Sequence, residues 1–420
     1  MIWRFAGILC TCPIPTKIFM QKPIYPLPEP MRGNESGSWA NSTIRQRLPE
    51  IARRTLQEND FPTDIQTRIE ALIADIPDTP IRLLHGAGLD VAAWNEWVRP
   101  YRGQNWLNPP WFFTETYFYR RIIEAVDYFQ TGIDPFAHQK SEGLKTTRVA
   151  IHALGAKLQD WLAAGRQVDT LATLLTIDLW GNQADLSLWP AEESEQPAHQ
   201  DFALAQAFLL ADDSRRVVDY MYSWPASRLD FIVDNAGFEL VCDLALADYL
   251  LSSDGAEEVF LNLKIHPTFV SDATILNVEQ TIAFLLNAEH AATSAWGQRL
   301  ADHLANGRLH LQTHPFWTSP LAMWEMPTDL RAELSNSSLI ISKGDANYRR
   351  MLGDLNWLPT TPFAGIMTYV PASWLALRTL KSEVVAGLQA EKVTQLRQDD
   401  PDWLINGRYG VIQFAISAPD

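Results

Sequence analysis

Residues 338–350 read SLIISKGDANYRR, an apolar run that ends in Lys343, Gly344, Asp345 and Asn347. A cation, a residue without a Cβ, a carboxylate and an amide in close succession suit the binding of an anion. The lysine offers a point charge, and the glycine lets the backbone approach closely. Two other apolar runs end in similar company. RLDFIVDN places Asp234 and Asn235 after Phe231–Val233, and Asp272 closes the loop that follows EEVFLNL, 38 residues beyond Asp234. Two carboxylates and an amide oxygen, from Asp234, Asp272 and Asn235, would neutralise a hard divalent cation such as Mg²⁺ or Mn²⁺ without filling its octahedral shell. An ion with open positions polarises a phosphoryl oxygen. Lys343, together with Lys381 of RTLK, would take up the remaining phosphate charge. Each residue also has an ordinary use, because Asp and Asn form turns and helix caps and a strand-end lysine can simply be solvated.

Other chemistries find less support. No G-x-x-x-x-G-K-[ST] loop, G-x-S-x-G elbow or H-E-x-x-H helix occurs, and HGAGLD lacks the last glycine of a dinucleotide fingerprint. His310 and His314 have the i, i+4 spacing of a helical pair, but Pro315 follows directly and favours a structural role. Cys242 sits in an apolar helical stretch and reads as core.

For the three run ends to meet, the runs must be strands of one parallel sheet, whose ligands bind beyond the strands' carboxyl ends. The second half of the chain has that grammar. Phe231–Val233, Val259–Leu263 and Leu339–Ser342 read as strands, each followed by a polar turn and an amphipathic helix. FAGIMTYV (363–370) and RYGVIQFA (408–415) read as further strands, with RTLKSEVVAGL (378–388) as a helix between them. From Ser38 to about Gln167 the period is helical instead. NSTIRQRLPEIARRTLQE opens on Ser42 or Thr43 as N-cap, and WFFTETYFYRRIIEAVDYF and RVAIHALGAKLQDWLAA continue the pattern. The expected organisation is an extended or disordered tail over 1–38, a helical domain over 39–167 and an α/β domain over 168–420. Arg45, Arg47, Glu115, Tyr117, Arg120 and Arg121 of the helical part read as solvated or interdomain contacts. SLWPAEESEQPAHQDFALAQ (187–206) reads as a variable loop.

With 34 basic and 50 acidic residues the net charge is −16, a field that repels nucleic-acid backbones and anionic membrane surfaces. An anionic substrate therefore needs local cations or a metal. Three cysteines, Cys10, Cys12 and Cys242, are too few for a disulfide framework and fit a reducing cytoplasm. The 16 tryptophans suit cores and interdomain clefts. The apolar stretch Phe5–Cys10 is too short for a signal peptide's core and, with Pro13 and Pro15 following, for a membrane span. Residues 1–19 read either as an over-extended frame ahead of Met20 or as a disordered tail.

VDNAGFELVCDLALADYLL, FVSDAT, KGDANYRRMLGD and RTLK occur in that order, and together they resemble the metal-dependent damage-control phosphatases. RTLK and the aspartate inside KGDAN resemble the sugar-phosphate subfamily, within which a protein-glutamate methyltransferase has also been described. The likeness runs over nearly all of the chain beyond residue 38. It implies an αβα sandwich with a mostly parallel, Rossmann-like sheet beside an all-helical N-terminal domain. It implies metal ligation by Asp234, Asn235 and Asp272, with Mn²⁺, Co²⁺ or Ni²⁺ favoured and Mg²⁺ possible. Substrate contacts would come from Asp234, Asn235, Lys343, Gly344, Asp345 and Asn347, and from Arg378 and Lys381 of RTLK. Glu239 and Asp272 match positions tied to a proposed S-adenosylmethionine contact.

The resulting expectation is a metal-dependent phosphatase acting on small phosphorylated metabolites of the fructose 1-phosphate or fructose 6-phosphate type. The attacking group would be water or Asp234, with Asp345 orienting a sugar hydroxyl or accepting a proton. Two alternatives stand beside it. A carboxyl (glutamate) O-methyltransferase is disfavoured because no glycine-rich loop follows a strand to cradle S-adenosylmethionine. A non-catalytic sugar-phosphate-binding protein could use the same residues.

Overall fold

Apolar side chains on both sides of a strand call for a packed layer on each face, and β2 (Ala226–Ile232) has them. Ile232 points into one hydrophobic core, while Leu229 and Phe231 point into the other. The computed structural model describes residues 22–86, 88–181, 206–223 and 226–417. Its sheet contains β1 (Leu209–Asp212), β2, β3 (Ala256–Leu263), β4 (Leu309–Thr313), β5 (Leu339–Lys343), β6 (Trp374–Thr379) and β7 (Gly410–Ala415), in the order β1-β7-β6-β5-β2-β3-β4. The neighbours from β6 through β4 are all parallel, whereas β7 is antiparallel to β6 and carries β1 with it. The protein is thus the expected αβα sandwich with a mostly parallel sheet.

The chain runs outward from β2 through β3 to β4, then returns to place β5 on the other side of β2. The ends of β2 and β5 therefore flank the point where strand order reverses, which is where an open α/β sheet binds its ligands.

Helices cover both faces, but not by a clean division at residue 167. Side chains from Met31 to Phe136 share a core with Ile232, Ile340 and Trp374. Those of Arg148–Ala163 and Val168–Trp180 join the opposite core with Phe231, Ile341 and Leu375. The chain changes faces through the helix Ala137–Thr146, in which Lys140 is the buried residue.

Several local expectations are corrected. FAGIMTYV is a short helix (Phe363–Ile366) and a 3₁₀ turn (Met367–Tyr369), not a strand. RTLKSEVVAGL begins as the last residues of β6 and continues as loop, not helix. The first helix is capped by Ser38, whose Oγ accepts from Asn41 N at 3.2 Å, ahead of the Ser42 or Thr43 expected. Strands β1, β4 and β6 were not foreseen, and His310 lies within β4, stacked on Phe260 at 4.1 Å. Cys242 is buried in the core as expected. Met20, Cys10, Cys12 and the segment 187–205 lie outside the described residues. No helix among the described residues is long and apolar enough to cross a membrane.

Residues 22–38 form a strap. Met31 N donates to Asp354 O at 3.2 Å, and Trp111 N donates to Met31 O at 2.8 Å. The strap thus spans the start of the helix Trp111–Ala125 and the loop after Gly344–Met351. Beneath it, Arg349 bonds Asp354 Oδ1 at 2.8 Å and Glu115 Oε2 at 2.5 Å and lies 3.6 Å over the Trp111 ring. Glu115 is thus a contact between the helical layer and the sheet's helices. Arg120 and Arg121 are buried in pairs with Asp90 and Asp75, whereas Arg45 and Arg47 are solvated. Arg349→Met would leave two buried carboxylates without their cation, a loss of about 3–5 kcal/mol. Urea denaturation should show that loss, and adding Glu115→Gln and Asp354→Asn should recover much of it.

Candidate active site

At the end of β2 the chain passes through Asp234–Gly237 into the helix Phe238–Ser252. The loop after β3 returns antiparallel to this turn. Asn235 and Asp272 form an isolated bridge, with Ala236 N to Ser271 O at 2.7 Å and Ala273 N to Asp234 O at 2.8 Å. Backbone pairing, rather than a helix spacing, thus brings Asp234, Asn235 and Asp272 together, as their order at strand ends implied.

All three side chains are buried. Asn235 Nδ2 donates to Asp234 Oδ2 at 3.1 Å and to Glu239 Oε2 at 2.8 Å, and Asn235 Oδ1 accepts from Ser271 Oγ at 2.5 Å. Asp272 Oδ2 pairs with Lys264 Nζ at 3.1 Å, and the same ammonium donates to Val233 O at 3.0 Å. Burial, then repulsion from Asp272 and Glu239, pushes the Asp234 carboxyl well above its usual range. Burial also raises Asp272 and Glu239. Asp234 Oδ1 is buried with no hydrogen-bond partner.

An orphaned carboxylate oxygen beside a second carboxylate and an amide fits a hard divalent cation. Among the described residues no three His, Cys, Asp or Glu side chains gather as a metal cluster, so Asn235 has to complete the set. A half-turn of its amide would offer Oδ1 to a cation and leave Nδ2 for the Ser271 hydroxyl oxygen.

Gly344 opens the helix Gly344–Met351 at the end of β5, with φ +77°, and any Cβ there would overlap Asp234 Oδ2. The glycine at this position is therefore a steric requirement of the site. Asp345, next along, is held on one oxygen. Its Oδ1 accepts from Arg378 Nε at 2.8 Å, Lys381 N at 3.1 Å and Ser382 Oγ at 3.0 Å. Burial opposes its ionisation, but Arg378 and Arg349 outweigh it and hold the carboxyl below its usual range.

The other expected contacts divide. Lys381 is half-buried, its backbone N donates to Asp345 Oδ1, and its charge acts on Glu239. Lys343 is committed to carboxylates, although its charge also acts on Glu239. It is fully buried and its Nζ meets Asp178 O at 2.5 Å, Asp178 Oδ1 at 2.7 Å and Asp243 Oδ1 at 3.0 Å, which engages all its donors. Asn347 Nδ2 donates to Lys343 O at 2.9 Å and thus fixes the start of its own helix. The Arg378 guanidinium is occupied by Asp345, Ser382 and Val384 O, so it supports Asp345 rather than reaching a ligand.

Sequence reasoning missed Lys264, whose signal was the same strand-end lysine noticed at 343. It also missed Ser271 and Lys140. A cleft of about 270 Å³ beside the carboxylates is lined by Lys140, Thr147, Gly237, Glu239, Val270 and Ser271, among others. Lys140 Nζ lies 3.0 Å from Asp134 Oδ2 and 3.3 Å from Asn277 Oδ1, and its charge favours ionised Asp272.

The profile of the damage-control phosphatase ARMT1-like domain matches residues 43–396. Damage-control phosphatase ARMT1 of Danio rerio is 34% identical over 92% of this chain and 97% of its own length. The Homo sapiens protein of that name is 31% identical over 92% of this chain and 98% of its own. The crystal structure of a DUF89 family protein from Pyrococcus horikoshii aligns with a TM-score of 0.48 at 12% identity, covering 88% of this chain and 96% of that one.

Two outcomes follow from this geometry. Gly344→Ala should lose about 1–3 kcal/mol for its left-handed backbone, and calorimetric titration with Mn²⁺ should show weakened binding because Asp234 is displaced. The second concerns pH. Acids raised by burial keep their protons in the folded state where the unfolded chain releases them, so stability falls as pH rises above the ordinary carboxylate range. The melting temperature of metal-free protein should therefore fall as pH rises above the ordinary carboxylate range of about 4, and saturating Mn²⁺ should flatten the slope.

Proposed function

The chain belongs to the ARMT1-like damage-control phosphatase family, and on that premise we propose that it hydrolyses small sugar phosphates with a divalent cation. The class is that of fructose 1-phosphate or fructose 6-phosphate, the cation Mn²⁺, Co²⁺, Ni²⁺ or Mg²⁺, and the setting the removal of reactive phosphometabolites in a reducing cytoplasm. The observation that carries this reading is the orphaned Asp234 oxygen beside Asp272 and Asn235, at the point where strand order reverses.

Asp234, Asp272 and Asn235 would hold the cation, which when bound supplies a Lewis acid for a phosphoryl oxygen. The chain's own residues account for the rest. Lys381, whose charge acts on the cleft residue Glu239, would neutralise charge that spreads over phosphoryl oxygens in the transition state. Asp345 is held ionised with its bonds on Oδ1, so Oδ2 can accept a proton from a sugar hydroxyl. Arg378 and Ser382 fix that carboxylate's direction. Lys343, tied to Asp178 and Asp243, anchors the strand from which Gly344 and Asp345 project.

Phosphate release should be measured from a panel of sugar phosphates, with the metal-free protein resupplied with each cation in turn. Cation-dependent release is expected, with Asp272→Ala near background. Lys381→Ala should fall about 10²–10³-fold in kcat, the loss usual for one charge-stabilising donor. Folded, Mn²⁺-bound protein that releases no phosphate from any sugar phosphate would overturn the reading.

A further inference from the structure

The loop that delivers Asp272 has a backbone that non-glycine residues rarely adopt. Phe269 has φ 45° and Val270 φ 69°, two left-handed residues in succession, one of them β-branched. Ser271 N donates to Phe269 O at 2.9 Å, closing a three-residue turn centred on Val270. A positive φ at its centre makes this the strained hand of the γ-turn. Strain of this kind persists only where the surroundings over-determine it.

Those surroundings come from the helical layer. The Phe269 ring packs 6.1 Å from Phe112 and 5.1 Å from Tyr119, both on the helix Trp111–Ala125. On the other side of the turn, Asp272 N donates to Thr268 O at 3.2 Å, and the Asn235–Asp272 bridge fixes the exit. Between these anchors the turn has one result. It sets the Ser271 hydroxyl on Asn235 and the Asp272 carboxylate beside Asp234.

We propose that Phe269 and Val270 are positioning residues: the γ-turn, clamped by Phe112 and Tyr119, sets Ser271 and Asp272 in the register that the cation site needs. The inference rests on the reading of Asp234, Asn235 and Asp272 as that site. Val270 serves through its conformation, since it keeps the turn narrower than a glycine would. Phe269 serves through its ring, which ties the loop to a layer that contributes none of the expected cation ligands.

The test uses the full chain and Mn²⁺ alone, followed by titration calorimetry, with melting temperature measured on the same samples. Val270→Gly releases the strain and frees the turn. It should keep or raise the melting temperature while weakening Mn²⁺ about tenfold or more, as loss of a ligand-orienting partner does. Val270→Asn, which accepts a left-handed backbone readily, should bind within about threefold of the parent. Phe112→Leu should weaken Mn²⁺ without touching the loop itself. Parent-like affinity in Val270→Gly would overturn the proposal. So would equal weakening in Val270→Gly and Val270→Asn, because the side chain and not the turn would then be responsible. A parent chain whose Mn²⁺ affinity is unchanged by Asp272→Ala would fail the underlying site, a result distinct from either.

Discussion

Buried negative charge in search of a cation is the constraint around which this protein is arranged. Asp234, Asp272 and Glu239 sit within the fold at the junction of β2 and β5, and each is driven toward its protonated form by burial. Isolated carboxylates in such a medium are costly, so the surrounding chain supplies partial compensation. Lys264 reaches Asp272, the Asn235 amide bridges Asp234 and Glu239, and Arg350 adds a guanidinium whose partners among the described residues are neutral, Ser319 Oγ and the carbonyls of Leu321 and Trp317. Burial pulls that guanidinium down to about 9. None of these replaces an ion at Asp234 Oδ1.

The same economy of charge explains the second acidic group. Lys343 stands between Asp178 and Asp243, so one ammonium faces two carboxylates and burial raises both acids. This triad joins two helices of one face to the end of β5. It gives Gly344 a fixed origin, and from there the backbone can pass close against Asp234.

What the sequence disclosed was the identity of strand ends, because apolar runs that stop at Asp, Asn and Lys are visible without neighbours. It did not disclose which way Lys343 points. A strand-end lysine reads the same whether it meets a phosphate or two carboxylates, and the answer lay at Asp178, 165 residues earlier. Strand β6 was missed for a related reason. Its apolar part, Trp374–Leu377, is four residues long and runs into the buried Arg378 and Thr379, so period alone cannot tell strand from helix and RTLK reads as the start of a helix. Lys140 belongs to a helix with almost no apolar stripe, and its role depends on Asp134 and Asn277, which no local pattern connects.

That helix, Ala137–Thr146, carries the chain from one face of the sheet to the other and walls the cleft as it passes. Its apolar anchor is the half-buried Leu144, and Lys140 and Gln139 supply polar ones, so it belongs fully to neither hydrophobic core. The wall of the cleft is thus placed by polar contacts, Lys140 to Asp134 and Asn277 and Gln139 to Glu58, whereas the carboxylates behind it are placed by backbone pairing.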